Sequence, residues 1–145
     1  MRVVIQRVRK AQVTIEENTR EQIGQGILVL LGIEMTDVQA DVDWLINKVL
    51  NLRIFDDENG VMNKSLLEIK GELMIVSQFT LSAVTDKGNK PSFHRAAEID
   101  KAHFLYNSLL GRLNESEIRF QSGVFGADMD IHSVNAGPVT FSFKM

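Results

Sequence analysis

The dipeptide Gly137-Pro138 places the strongest constraint on how this chain can fold, because it interrupts a tail that otherwise resembles β-strand. Residues 129–134 and 139–143 are rich in the β-branched and aromatic side chains that strands favour. Proline has no N–H to donate to a sheet ladder, and glycine is the residue least restricted in backbone conformation. We therefore predict two tail strands broken at Gly137-Pro138, and a role for this dipeptide other than packing.

The composition is typical of one globular domain, expected to span residues 1–145. Hydrophobic residues make up 44% of the chain and charged residues 24%, which is enough apolar material for one compact core. No apolar run approaches the roughly 18 residues needed to cross a bilayer, and the N-terminus does not resemble a signal peptide. The absence of cysteine excludes disulfides, thiolate nucleophiles and cysteine-based zinc sites. A cytoplasmic protein is expected.

The formal net charge of −3 argues against the strongly basic surface that is usual for nucleic-acid-binding proteins. The charge is uneven, however, and residues 84–95 carry Lys87, Lys90 and Arg95 against Asp86 alone. Such a local basic rim can contact phosphates on an acidic protein, although each of these residues can equally be a solvated surface charge.

Hydrophobic periodicity predicts strands at both ends of the chain and two helices between them. Residues 27–33 and 73–81 are apolar runs typical of strands buried on both faces. Apolar residues recur at helical spacing over 38–49 and 99–113, and Thr36 with Gln39 forms a possible capping box before the first helix. The order of elements indicates an α+β fold.

Standard catalytic motifs are missing from the sequence. It contains no G-x-S-x-G nucleophile elbow, no G-x-x-x-x-G-K-[ST] phosphate loop and no H-E-x-x-H zinc helix. His94, His103 and His132 have no ligand-like spacing, so neither a metal ion nor an organic cofactor is implied. For His103 and His132 structural or surface roles are predicted.

Thr80 is the first candidate for a nucleophile, because its hydroxyl lies in the polar segment that ends the second buried run. A threonine hydroxyl needs an adjacent base, and no His, Lys or carboxylate lies close to it in sequence. On a strand, moreover, residues 77 and 79 face away from residues 78 and 80. We therefore favour a Thr80 hydroxyl that bonds the backbone or the substrate, while a base from elsewhere in the fold stays possible.

Six short segments, in order along the whole chain, give the sequence its resemblance to the D-aminoacyl-tRNA deacylases, which hydrolyse the ester between a D-amino acid and tRNA. Two are the family signatures SQFTL, at residues 77–81, and NxGPxT, at residues 135–140. The other four are Val4-Ile5-Gln6-Arg7-Val8, Leu50-Asn51-Leu52-Arg53-Ile54-Phe55, Lys90-Pro91-Ser92-Phe93 and Phe125-Gly126-Ala127-Asp128-Met129. The resemblance implies two packed, mainly antiparallel, barrel-like β-sheets with two amphipathic helices.

The resemblance also implies a mechanism. Ser77, Gln78, Phe79 and Thr80 would line the catalytic site, with backbone N–H groups around the developing oxyanion. Attack by water would be assisted by the neighbouring 2′-OH of the terminal ribose. Such a site needs few catalytic side chains.

Gly137-Pro138 would then supply chiral selectivity. The resemblance implies a cis bond that reaches from one subunit of a homodimer into the active site of the other, where it excludes an L side chain. Glycine, as on mischarged tRNA(Ala), would pass this gate. A plain turn is the alternative, since only about 5–6% of X-Pro bonds are cis.

Three further residues are assigned to the site by similarity. Arg7 would brace the Gly137-Pro138 loop, while Phe125 and Met129 would line the pocket wall; a surface charge and simple core residues are the alternatives. The expected partners are D-aminoacyl-tRNA and a second copy of the chain, with neither a membrane nor DNA. The rival interpretation is a non-catalytic RNA-binding or editing-like module.

Overall fold

A computed structural model describes residues 1–15, 19–86 and 88–145. Lys87, one of the candidate phosphate contacts, lies outside the described residues. Neither α-helix in the described part of the chain is long and apolar enough to cross a membrane. The elements are β1 (Arg2–Ile15), β2 (Thr19–Ile23), β3 (Gly26–Gly32), α1 (Gln39–Asn51), β4 (Phe55–Asp56), β5 (Met62–Lys64), β6 (Glu72–Ser77), a 3₁₀ turn (Phe79–Ser82), α2 (Ile99–Asn114), β7 (Arg119–Ser122) and β8 (Met129–Lys144).

The long strand β1 organises the main sheet. It pairs antiparallel with β8 along one edge, and with β3 and then β2 along the other. The sheet continues from β3 to β6 and β7 through parallel pairs, which α1 and α2 connect. This nearly closed, barrel-like sheet and the small β4–β5 sheet confirm the predicted α+β fold with two helices.

The side chains of β1 pack into two apolar clusters. Val3 and Ile5 join a core that includes the buried stripes of α1 and α2, while Val8 and Val13 join a second cluster. Alternation places Val8 on the face opposite to Ile5, and the register irregularity that follows Val8 brings Val13 to the same cluster as Val8. Strand β3, predicted to be buried on both faces, contributes to both clusters, since Ile27 belongs to the first and Leu28 to the second.

The predicted strand over residues 73–81 is wrong at its end. Strand β6 stops at Ser77, because its partner β3 stops at Gly32 and the last bond between them runs from Gln78 N–H to the Leu31 carbonyl, at 2.7 Å. Beyond this point the chain turns, with Leu81 N–H donating to the Gln78 carbonyl. The prediction that residues 79 and 80 alternate on a strand therefore fails.

Two smaller predictions also need correction. Helix α1 is capped at Val38 by the Asp41 carboxylate, which accepts the Val38 N–H at 2.7 Å, rather than by a box of Thr36 and Gln39. The tail forms one strand, β8, that bulges at Gly137-Pro138 instead of two separate strands.

The backbones of β3 and β6 approach closely where the two strands begin to pair. A Cβ atom on Gly26 would stand 1.7 Å from the Glu72 carbonyl oxygen, so only glycine fits between the two strands.

Tyr106 anchors α2 to the sheet. Its ring is buried, and its hydroxyl donates a hydrogen bond of 3.1 Å to the Ile75 carbonyl in β6. Burial raises the pKa of Tyr106 well above its ordinary value of 10.0, and a hydrogen bond with Ser122 offsets part of that effect.

We expect Gly26→Ala to lower the free energy of unfolding by about 3 kcal/mol or more, because backbone must move to admit the methyl group. Gly111→Ala is the control, since a Cβ atom at this exposed helical position meets nothing within 4 Å. It should raise stability by about 0.5–1 kcal/mol. Urea denaturation of both variants measures the difference, and equal stabilities would contradict the close approach at Gly26.

Tyr106 is the only tyrosine of the chain, so its ionisation can be followed directly by ultraviolet absorbance. Its folded-state pKa is raised, so its contribution to stability is complete below pH 10 and is lost as the pH rises from there through the folded pKa. We expect tyrosinate absorbance to appear together with unfolding, and Tyr106→Phe to lessen the alkaline loss of stability. Titration near pH 10 in the folded protein would contradict the buried position of Tyr106; denatured protein is the control.

Candidate functional site

A pocket of about 570 Å³ opens at the carboxyl ends of β3 and β6. Its walls are mostly apolar, and they come from β3, β6, the segment before α2, the first turn of α2 and the loop from β7 to β8. Such a concave, mainly apolar cleft with a few polar groups is typical of a ligand site. The lining residues are Leu31, Ile33, Val76, Ser77, Gln78, Phe79, Ala96, Ala97, Ile99, Ala102, Phe125, Gly126, Ala127, Asp128, Met129 and Ile131.

The segment from Ser77 to Thr80 forms one rim of this pocket. Ser77, Gln78 and Phe79 line it, and Phe79 is 58% exposed, in edge contact with Phe93. Thr80 is exposed and lies outside the lining; its hydroxyl accepts a hydrogen bond of 2.5 Å from the Gln78 side chain. Three of the four predicted catalytic residues therefore line the pocket, and Thr80 flanks it.

The turn after β6 leaves backbone donors free at this rim. Phe79 and Thr80 are the first two residues of the 3₁₀ turn, where N–H groups have no partner within the helix. Among the described residues, no protein acceptor takes either N–H. Unpaired N–H groups at the start of a helical turn attract negative charge, such as that on an oxyanion.

Phe125 and Met129, which the resemblance assigned to the pocket wall, both line the pocket. Phe125 packs against α2. Its ring stacks on His103 at a centroid distance of 4.9 Å and contacts the ring of Tyr106 at a centroid distance of 5.5 Å. The prediction of a structural or surface role for His103 did not specify this stacking contact. The spacing of His103 and Tyr106 along one face of a helix is the signal that could have shown it.

Several lining residues carry no predicted role. Of the described residues that line the pocket, Asp128 alone carries a titratable side chain. It belongs to the segment 125–129, which is one of the six that carry the family resemblance. Ala96 and Ala97 come from the segment before α2, and their small side chains carry no chemical signal. The described residues hold no group of three His, Asp or Glu side chains that could bind a metal ion.

Gly137-Pro138 lies away from the pocket within one copy of the chain. The bond is cis, and the dipeptide is exposed in a bulge of β8 opposite Arg7. Neither residue lines the pocket, and neither does Arg7. Gly137 has a φ of +120°, a conformation that residues with a side chain rarely adopt, so glycine is required there.

The bulge is braced on both sides. Arg7 Nε donates to the Ala136 carbonyl at 3.0 Å, and the same guanidinium bonds the Ile54 carbonyl at 2.8 Å and the Asp56 carboxylate at 3.2 Å. The Asn135 carboxamide accepts the Val139 N–H at 3.0 Å and donates to the Thr140 hydroxyl at 2.8 Å. Arg7 therefore contacts the backbone of this loop directly.

Comparison with known proteins finds relatives over nearly the whole chain. The sequence model of the D-Tyr-tRNA(Tyr) deacylase family matches residues 4–144. A protein of Bacteroides thetaiotaomicron named D-aminoacyl-tRNA deacylase is 52% identical over 143 residues, which cover 97% of this chain and 94% of that protein. A protein of Geobacter sp. with the same name is 49% identical over 141 residues, which cover 97% and 95%.

Solved structures share the fold over the whole chain. One, described as a c-Myc DNA unwinding element binding protein, has a TM-score of 0.93 and 42% identity, covering 100% of this chain and 99% of its own. Another, described as a probable eukaryotic D-amino acid tRNA deacylase, has a TM-score of 0.84 at 19% identity, covering 98% and 97%, and this likeness concerns the fold alone. The match over residues 4–144 and the identities of about half show that the chain belongs to the D-Tyr-tRNA(Tyr) deacylase family.

Proposed function

We propose that this protein hydrolyses the ester bond of D-aminoacyl-tRNA in the cytoplasm, releasing the free D-amino acid and the tRNA. The observation that carries the proposal is the pocket at the end of β6, because two of the segments on which the family resemblance rests line it. Ser77, Gln78 and Phe79 stand on one side and Phe125 and Met129 on the other.

The proposed chemistry relies on backbone groups. Water attacks the ester carbonyl with assistance from the ribose 2′-OH, the bond to the 3′-oxygen breaks, and that oxygen leaves with a proton. The N–H groups of Phe79 and Thr80 stabilise the oxyanion, since they lie at the pocket rim and lack protein acceptors among the described residues. The apolar walls strengthen these bonds by excluding water.

Thr80 serves this mechanism through its N–H rather than as a nucleophile. Its hydroxyl bonds the Gln78 carboxamide, which is not a base, and lies outside the residues that line the pocket. Asp128 is the titratable side chain that the pocket does hold, and no contact between it and Thr80 supports a catalytic pair.

We propose that the Gly137-Pro138 loop of a second copy of the chain supplies the chiral selectivity of the pocket. In one copy the Gly137-Pro138 loop is exposed, braced by Arg7 and Asn135, and separate from the pocket. A homodimer that seats this loop over the partner's pocket would set rigid backbone against the substrate's α-carbon, where an L side chain collides and a D side chain turns away. Glycine on tRNA(Ala) would be accepted.

Contacts with the tRNA itself are proposed for Lys90 and Arg95. Both are exposed, and Arg95 precedes the two alanines that line the pocket. Phosphate contacts of this kind position an RNA without reading its sequence.

Purified protein is expected to release D-tyrosine from D-tyrosyl-tRNA at least about a hundredfold faster than L-tyrosine from L-tyrosyl-tRNA, because the exclusion acts on one enantiomer only. Release of labelled amino acid measures both rates, and buffer alone is the control. A rate no faster than in buffer for either substrate would favour the non-catalytic RNA-binding module. Equal hydrolysis of both would contradict the gate, and so would a monomeric mass in solution.

Thr80→Ala is expected to keep kcat within about tenfold of the wild-type value, because the variant retains the backbone N–H and loses only a hydroxyl that Gln78 holds. Single-turnover deacylation of D-tyrosyl-tRNA measures the effect. Thr80→Ser, which keeps the hydroxyl, is the matched control. A loss of several orders of magnitude in Thr80→Ala, with activity retained in Thr80→Ser, would make the hydroxyl catalytic.

A further inference from the structure

Gly123 lies directly beneath the Met129 wall of the pocket. It is buried, it follows β7, and its N–H donates to the Ile75 carbonyl at 2.9 Å. A Cβ atom on Gly123 would stand 2.6 Å from the Met129 sulfur and 3.3 Å from its terminal methyl carbon. The φ of Gly123 lies outside the left-handed region, so glycine is needed here for space and not for backbone conformation.

Met129 is partly buried, and it packs against a hydrophobic cluster as well as lining the pocket. Behind it lies the cluster that contains Val8, Val13, Leu28 and Met74, each at most 1% exposed. Such packed interiors do not admit extra atoms without shifting. In front of it is the pocket, which Met129 lines. A methyl group at position 123 would therefore push the flexible thioether into the pocket.

We propose that Gly123 is a specificity-determining residue, which sets the depth of the substrate pocket by providing the seat for the Met129 side chain. This inference rests on the proposed function for its substrate. Gly123 itself does not line the pocket and acts through Met129.

The test is a double-mutant cycle on the full chain. Gly123→Ala should raise KM for D-tyrosyl-tRNA about tenfold and leave kcat within about threefold, since narrowing an apolar pocket by one methylene has effects of this size on binding. Met129→Val removes the atoms that the new methyl group meets. In the Met129→Val background, Gly123→Ala should change KM less than about twofold.

Gly111→Ala is the control, because it adds the same methyl group on an exposed face of α2. An unchanged KM in Gly123→Ala would overturn the inference. An equal rise of KM in the wild-type and Met129→Val backgrounds would also overturn it, because the added methyl group would then act through the backbone and not through Met129.

A second measurement is independent of activity. In protein labelled at the methionine methyl carbons, Met129→Val identifies the Met129 signal, and Gly123→Ala should shift it more than those of the other five methionines. An unmoved Met129 signal would overturn the inference that Gly123 provides the space for the Met129 side chain. Wild-type protein that releases no D-tyrosine would contradict the proposed function, and the methyl shift would still decide whether Gly123 seats Met129.

Discussion

The carbonyl of Ile75 is the contact on which the geometry of the pocket depends. A carbonyl oxygen can accept two hydrogen bonds, and this one accepts the Gly123 N–H at 2.9 Å and the Tyr106 hydroxyl at 3.1 Å. Ile75 lies two residues before Ser77 in β6, Gly123 starts the loop that carries the opposite wall, and Tyr106 belongs to α2. One buried acceptor thus fixes three of the elements that surround the pocket, and the stack of Phe125 on His103 depends on the same placement of α2.

Both segments proposed to act on the substrate lie where a sheet ladder is interrupted. Strand β6 ends because β3 ends beside it, which frees the N–H groups of the following turn. Strand β8 bulges between the pairs Val8–Asn135 and Gln6–Thr140, which exposes the Gly137-Pro138 backbone. Regular strands use their backbone groups on each other, so breaks in the ladders are where a sheet protein can present main chain to a ligand.

Local patterns predicted what depends on local sequence. The run over residues 27–33 predicted a doubly buried strand, and the apolar stripe over 99–113 predicted α2, because the faces that an element buries decide its apolar pattern. The end of β6 could not be predicted, since residues 78–81 continue to alternate polar and apolar side chains as a strand does, and the strand stops only where β3 does. Ala96 and Ala97 line the pocket from a segment that is distant in sequence. An alanine side chain gives no indication of a binding role. The family resemblance, which carries tertiary information, supplied Phe125, Met129 and Arg7.

A site proposed to work through main-chain atoms depends less on the side chains that touch the substrate than on the residues that hold the backbone in place. Replacing a side chain at Thr80 leaves its N–H in place, whereas the positions of the backbone donors and of the Gly137-Pro138 carbonyls depend on remote supports. For the donors the support is the chain from Ile75 to Gln78, tied to β3 by the Gln78 N–H. For the bulge it is the Arg7 guanidinium, which joins Ala136 to Ile54 and Asp56 through three hydrogen bonds. Because a change of this support moves the backbone itself, Arg7 would affect selectivity in the proposed dimer without lining the pocket of its own chain.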